Sequence, residues 1–73
     1  MNHTQHEDIL RYIKENGSIS PAEAFSYLGI TKLSTRISEM TRTGYSFAKQ
    51  MVDDRNRYGR KIRYMRYWLV KEA

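Results

Sequence analysis

The hydrophobic repeat of this sequence changes once, at Gly44, and that change limits the fold more than any other feature. Before Gly44, apolar residues recur every three or four positions, as they do along one face of an α-helix. After it, two runs at 45–52 and 60–70 alternate and are rich in aromatic and β-branched residues. The polar segment between them, 53–59, contains turn-forming Asp, Asn and Gly residues. The sequence therefore predicts helices followed by a two-stranded hairpin.

Start and stop signals divide the helical part into three. Thr4 is predicted to cap a first helix over 5–16, and Gly17 is predicted to end it. Ser20 and Pro21 supply a second cap, followed by proline at the first helical position. The short second helix that follows is predicted to bury a stripe made of Ala24, Phe25 and Leu28.

The third helix is predicted over 31–43, after a turn at Gly29. Thr31 is its predicted cap, and its inward residues are Leu33, Ile37 and Met40. Two short helices joined by a glycine-containing turn have the form of a helix-turn-helix, in which the second helix can enter a DNA major groove. The predicted fold class is therefore α+β, a winged helix-turn-helix of three helices followed by a two-stranded antiparallel hairpin. We expect a single domain over 1–73, with its core at about 5–70.

The net charge of +5 is distributed unevenly. Residues 1–30 carry two basic and four acidic groups, whereas residues 31–73 carry eleven basic and four acidic groups. The first part is therefore at −2 and the second at +7. This asymmetry indicates a polyanionic partner that meets the C-terminal part of the chain.

The exposed side of the third helix offers hydroxyl and basic groups. Steps of about 100° per residue place seven candidates for DNA contact on this side or at its flanks. They are Thr31, Lys32, Ser34, Thr35, Arg36, Ser38 and Arg42. Glu39 is the exception, and two interpretations stay open: it accepts a hydrogen bond from a cytosine, or it pairs with Arg36 or Arg42.

The turn of the predicted hairpin, the wing at 53–61, is strongly basic. Its candidates for DNA contact are Arg55, Asn56, Arg57, Tyr58, Arg60 and Lys61. Such a segment can neutralise phosphates or enter a minor groove. Asp53 and Asp54 are interpreted as turn-forming residues that also balance part of the charge.

The last strand has two different faces. The face predicted to pack on the helices, together with Phe47, consists of Met65, Tyr67 and Leu69. The other face presents Tyr64, Arg66 and Trp68. Aromatic rings beside an arginine can stack on unpaired bases or form a homodimer contact, and both interpretations stay open.

Several classes of function are not expected. The chain has no cysteine, no apolar run of about 20 residues and no signal-peptide pattern near its start. His3 and His6 lie near Glu7, but a metal site is not expected without a further nearby ligand. No catalytic constellation or phosphate-binding glycine loop is present. We expect no enzyme activity, cofactor, small-molecule substrate or membrane partner.

The sequence resembles a group of small winged helix-turn-helix proteins found largely in bacteriophage and prophage genes. The resemblance runs over roughly 7–69, through ILRYIKENGSISPAEAFSYLGI, LSTRISEMTRTGY and a basic hairpin that ends in RYWL. Its most specific parts are GSISPAEA at 17–24, Arg36-Ile37 with Met40, Gly44-Tyr45, and Arg66-Tyr67 with Leu69. It implies the winged fold and a DNA-binding role. It also gives Arg36 a second interpretation, in which this residue holds its helix against the sheet.

The leading hypothesis is a cytoplasmic protein, in a bacterial cell or a phage-infected host, that binds specific sequences of double-stranded DNA. It would act as a transcriptional regulator or a recombination or architectural factor of phage or mobile-element origin, with helix 31–43 in the major groove. One alternative is a protein interaction module, for example a phage inhibitor of a host nucleic-acid enzyme. Another is a single-stranded nucleic acid binder that uses Tyr64, Arg66 and Trp68.

Overall fold

Three helices precede a two-stranded antiparallel sheet in the structure, a computed structural model that describes residues 4–73. The elements are α1 (Gln5–Asn16), α2 (Pro21–Leu28), α3 (Leu33–Arg42), β1 (Ser46–Arg55) and β2 (Lys61–Lys71). The predicted α+β winged helix-turn-helix is therefore confirmed. Within residues 4–73, no helix has the length and apolar character needed to cross a membrane.

The helix starts follow the capping signals of the sequence. Thr4 accepts a hydrogen bond at its side-chain oxygen from the Glu7 amide, at 3.1 Å. At α2, Ser20 Oγ accepts from the Glu23 amide at 3.3 Å, while the Glu23 carboxylate accepts from the Ser20 amide at 3.0 Å. This reciprocal box satisfies two amides that a helix start would otherwise leave unpaired. Gly29 ends α2 in the left-handed conformation, with φ of 68°.

The start of α3 differs from the prediction. Thr31 is the cap that the sequence predicts, but the cap in the structure is Lys32, which makes no side-chain capping bond, and α3 begins at Leu33. The Arg36 amide donates to the Lys32 carbonyl at 3.2 Å, so the helical bonds begin there. Ile30, in the turn before α3, is buried in the core and only 1% exposed. Because the turn must place Ile30 there, it extends through Thr31 before the helix begins.

The buried stripe of α2 is narrower than expected. Ala24 is fully buried and Leu28 packs against the core, but Phe25 is 62% exposed. The prediction that Phe25 points inward is wrong. In a helix of about two turns, Ala24 and Leu28 set the inward direction, and a residue one step of about 100° further along lies at the flank.

A third strand-like segment joins the helices to the sheet. Ile19 forms an antiparallel bridge with Tyr67, through two backbone hydrogen bonds of 2.9 Å. Both side chains lie in a core that also contains Ile9, Ile13, Ala24, Ile30, Leu33, Ile37 and Met40. Phe47, Met65 and Leu69 pack against this core, so the predicted inner face of the hairpin is confirmed.

The strands of the hairpin extend further than predicted. The sequence places Asp53 and Asp54 in the turn, but they lie in β1, opposite Arg63 and Ile62. Only the loop 56–60 separates the strands. An Asp53–Arg63 ion pair of 2.7 Å across the strands supports the longer ladder, because opposite charges in directly opposite positions of two strands attract each other.

Truncation of Met40 tests this core. Met40 is fully buried, so Met40→Ala is expected to lower the free energy of unfolding by about 2–5 kcal/mol. Met51→Ala is the matched control, because Met51 is 49% exposed, and it should change stability by no more than about 0.5 kcal/mol. Urea denaturation of both variants measures the difference. Equal losses would show that the core does not lie where the structure places it.

Candidate nucleic-acid interface

A cleft of about 490 Å³ lies between α3 and the hairpin. It is lined by Ser34, Ile37, Ser38, Thr41, Arg42, Phe47, Lys49 and Tyr67. Hydroxyl and basic groups of α3 form one wall, and the inner face of β1 forms the other. Such a wall can hydrogen-bond to phosphate oxygens or base edges.

The side chains of α3 divide into three sets. The core stripe holds Leu33, Ile37 and Met40. Ser34, Ser38 and Thr41, at i, i+4 and i+7, line the cleft. Arg36 and Glu39 lie on the side toward α1, and Thr35 lies between this pair and the cleft on the exposed side. The candidates Thr31, Lys32, Ser34, Thr35, Ser38 and Arg42 are all exposed, so each is accessible to a partner.

Glu39 contacts side chains from two elements. Its Oε1 accepts from His6 Nε2 of α1 at 2.9 Å and lies 3.1 Å from Arg36 Nη1. The hydrogen bond from His6 is the main cause that holds the pKa of Glu39 below its ordinary value of 4.5; desolvation opposes it, and the attraction of Arg36 adds to it. Of the two interpretations offered by the sequence, the structure shows the pair with Arg36. This Arg36 contact lies within α3 and not against the sheet.

The loop of the wing is organised by Asn56. Its side-chain oxygen accepts hydrogen bonds from the amides of Tyr58 and Arg60, at 2.9 and 3.1 Å. Arg55 Nη1 donates to the Gly59 carbonyl at 3.0 Å, and Gly59 has a positive φ of 78°. The basic side chains of the wing therefore extend from an ordered loop, and Tyr58 is 86% exposed at its end.

Ion pairs divide the cations of the chain into two groups. Five of them pair with a carboxylate, in Arg11–Glu15, Lys14–Glu72, Arg36–Glu39, Arg63–Asp53 and Arg66–Glu23. Within residues 4–73, the basic residues outside such pairs are Lys32, Arg42, Lys49, Arg55, Arg57, Arg60, Lys61 and Lys71. All but Lys71 belong to α3, its cap, the cleft or the wing. Except for Lys49 and Lys71, the cations without a carboxylate partner are therefore residues that the sequence predicts for DNA contact.

Tyr64, Arg66 and Trp68 do not form one continuous exposed surface in the structure. Arg66 Nη1 donates to Ser18 Oγ at 2.8 Å and to Glu23 Oε1 at 3.0 Å, and the Arg66 side chain is only 22% exposed. Its guanidinium carbon lies 5.7 Å from the centre of the Tyr64 ring. Tyr64 and Trp68 are half-buried. Arg66 is thus engaged with the start of α2.

Sequence reasoning missed two residues that line the cleft, Thr41 and Lys49. Thr41 lies seven positions after Ser34, and its hydroxyl donates to the Ile37 carbonyl at 2.9 Å. Lys49 is the more informative of the two, because it is an exposed cation opposite Tyr67 on the inner face. Lys49 lies two positions after Phe47 on β1, so their side chains share a face of the strand. Because Phe47 is predicted to point inward, the same pattern would have placed Lys49 in the cleft.

The sequence profile of a known family, described as a winged helix-turn-helix domain, matches residues 4–72. The chain belongs to this family. Winged helix-turn-helix domains are typically DNA-binding modules without enzymatic activity, and this indicates a nucleic-acid partner. No curated protein and no solved structure gives a significant match to the chain.

No metal centre is evident in the part of this winged helix-turn-helix domain that the structure describes. Within residues 4–73, no group of three or more His, Cys, Asp or Glu side chains could hold an ion. His6, one of the two histidines considered in the sequence, bonds to Glu39. The other, His3, lies outside the described residues.

The Glu39 contacts predict an acid-dependent stability. Because the pKa of Glu39 is lowered in the folded state, ionised Glu39 stabilises the domain above pH 4.5, and this contribution is lost as the pH falls through the folded-state pKa. Glu39→Gln should therefore be less stable than the wild type near neutral pH, with a difference that shrinks as the pH falls below 4.5. Urea denaturation at a series of pH values measures this difference.

Glu15→Gln is the control for this series, since the Arg11–Glu15 pair is longer, at 3.5 Å, and more exposed. It should have little effect at any pH. A Glu39→Gln difference that stays constant from neutral to acid pH would contradict the assignment.

Proposed function

We propose that the chain binds specific sequences of double-stranded DNA, with α3 in the major groove and the wing on the flanking backbone or in a minor groove. The observation that carries this proposal is the location of the uncompensated cations. Seven of them lie on α3, its cap, the cleft wall and the wing, while carboxylates neutralise most of the others. A surface of this kind attracts a polyanion and releases its counterions on contact.

The geometry of α3 supports a base-reading role. Its outward residues include hydroxyl groups, at Thr35 and Ser38, which can bond to base edges or phosphates. They have Lys32 at one end of the helix and Arg42 at the other. A helix with cations at both ends and short polar groups between them can have its ends held by phosphates while its middle reaches the bases.

The resemblance to phage and prophage proteins supports the cellular role. We propose a transcriptional regulator or a recombination or architectural factor of phage or mobile-element origin, acting in the bacterial cytoplasm. A second copy on the DNA would appear as a palindromic motif among duplexes selected from a random pool.

Two rival functions give different results in simple experiments. A protein interaction module would not retard random duplex at low salt and micromolar protein. A single-stranded nucleic acid binder would prefer single over double strands in competition, with Trp68 fluorescence as the reporter. Duplex preference with retardation supports the proposal against both.

Removal of charge from the wing should weaken binding to all DNA sequences. The combined change of Arg55, Arg57 and Arg60 to Gln removes cations that neutralise phosphates, so affinity should fall on specific and random duplex alike. The slope of log affinity against log salt should become shallower by about 0.9 for each phosphate that is no longer neutralised. Fluorescence anisotropy at several salt concentrations measures both quantities.

The control changes two cations that the structure pairs with carboxylates. Arg11→Gln with Lys14→Gln lowers the charge of α1, where each residue already has an acidic partner. The salt slope of this double variant should stay near that of the wild type. An equal decrease in both variants would mean that net charge, and not the wing, governs binding.

Changes on α3 should instead alter the preference between sequences. Thr35→Ala and Ser38→Ala remove exposed hydroxyls without changing charge, so binding to random duplex should be retained. Removal of a hydrogen bond to a base should reduce discrimination at one position of the site by about 1–3 kcal/mol. Selection of bound duplexes from a random pool measures this change. If the motifs of both variants match that of the wild type, α3 does not read bases through these residues.

A further inference from the structure

We infer that Arg66 is a positioning residue for the wing, an inference that rests on the proposed function. In this role, Arg66 fixes the angle between the hairpin and the helix-turn-helix by linking the middle of β2 to the start of α2. The wing then meets DNA at a fixed distance from the bases that α3 contacts.

The contacts of Arg66 converge on the beginning of α2. Its Nη1 donates to Ser18 Oγ and to Glu23 Oε1, across 2.8 and 3.0 Å. The same Glu23 oxygen accepts from the Ser20 amide in the capping box of α2. One carboxylate oxygen therefore serves both the start of the helix and the arginine of the strand. The neighbouring Ile19–Tyr67 bridge adds two backbone hydrogen bonds.

The outer part of the hairpin has no comparable support. Residues 53–63 are all exposed, and the core contacts of β2 begin only near Met65. The direction of the wing is thus determined close to Tyr67, at the bridge and at Arg66. The bridge fixes the separation of the two backbones, but it does not by itself prevent the hairpin from swinging about an axis across β2 at Tyr67. The side-chain link from Arg66 to α2, to one side of that bridge, opposes this swing.

The length of β2 magnifies small rotations. Lys61 is the first residue of β2 and lies next to the wing loop. It is five positions from Arg66, or about 17 Å at the usual strand rise of about 3.3 Å per residue. A rotation of about 10° at Arg66 would move Lys61 by about 3 Å, close to the rise of about 3.4 Å per base pair of DNA. A rotation of this size after removal of the Arg66 link would displace the wing by about one base pair without any change in α3.

Hydroxyl-radical footprinting on a duplex selected by the wild-type protein tests this inference. The wild type should protect one region through α3 and another through the wing, and the triple Gln variant of the wing arginines identifies the second region. Arg66→Met keeps the aliphatic stem and removes the link. It should retain the α3 region, while wing protection falls about tenfold relative to it or moves along the DNA, as expected for loss of a charge-assisted hydrogen bond.

Arg11→Met is the matched control, because it removes one arginine that also pairs with a carboxylate, Glu15, but lies on α1. It should leave the wing region at its original distance from the α3 region. Ser18→Ala is a second variant that removes one acceptor of Arg66 and leaves all charges in place, and it should weaken wing protection in the same direction. Circular dichroism at the assay temperature establishes that each variant is folded.

Three outcomes would overturn the inference. In the first, folded Arg66→Met and Ser18→Ala both keep the wild-type footprint. In the second, both regions weaken by the same factor in a folded variant, which would indicate a general structural role for Arg66. In the third, the wild type protects no duplex, which contradicts the proposed function and this inference with it. A change confined to the wing region supports the role of Arg66.

Discussion

Two backbone hydrogen bonds between Ile19 and Tyr67 hold the helices and the hairpin together. An isolated two-stranded hairpin is at best marginally stable in water, and this bridge supplies a third short strand whose side chain is fully buried. The capping residue of α2, Ser20, follows Ile19 directly. The helix-turn-helix is therefore attached to the sheet immediately before the cap of α2, and the position of α3 relative to the wing depends on this junction.

The positions of the carboxylates, as well as those of the cations, determine where the domain carries net positive charge. Acidic residues pair with cations on α1, on β2 and at the α1-facing side of α3, so the positive charge of those parts is largely balanced. The cleft wall and the wing loop have few such partners. Surface ion pairs of this kind add only modestly to stability, and their clearer effect here is that most of the cations without a carboxylate partner lie on α3, its cap, the cleft and the wing.

Local signals in the sequence were sufficient to predict the elements of the fold and much of the candidate site. Capping residues and glycines act over three or four positions, and they indicated the bounds of α1 and α2. The alternation in β2 indicated its inner face. Where neighbours distant in sequence decide the outcome, the predictions failed: burial of Ile30 moved the start of α3 past Thr31, and pairing with β2 extended β1 through Asp53 and Asp54. The pairing of Arg66 with Glu23 joins residues 43 apart in sequence, and no local pattern indicates it.

The most direct test of the account is a titration of ¹⁵N-labelled protein with a selected DNA duplex, followed by amide chemical shifts. If α3 and the wing form the interface, the largest shift changes should occur at Lys32, Thr35, Ser38, Lys49 and the loop 56–60. Amides of the α1 surface, such as those of Arg11 and Glu15, should change little. Changes concentrated on α1 and α2, or around Tyr64 and Trp68 with α3 unaffected, would contradict the account.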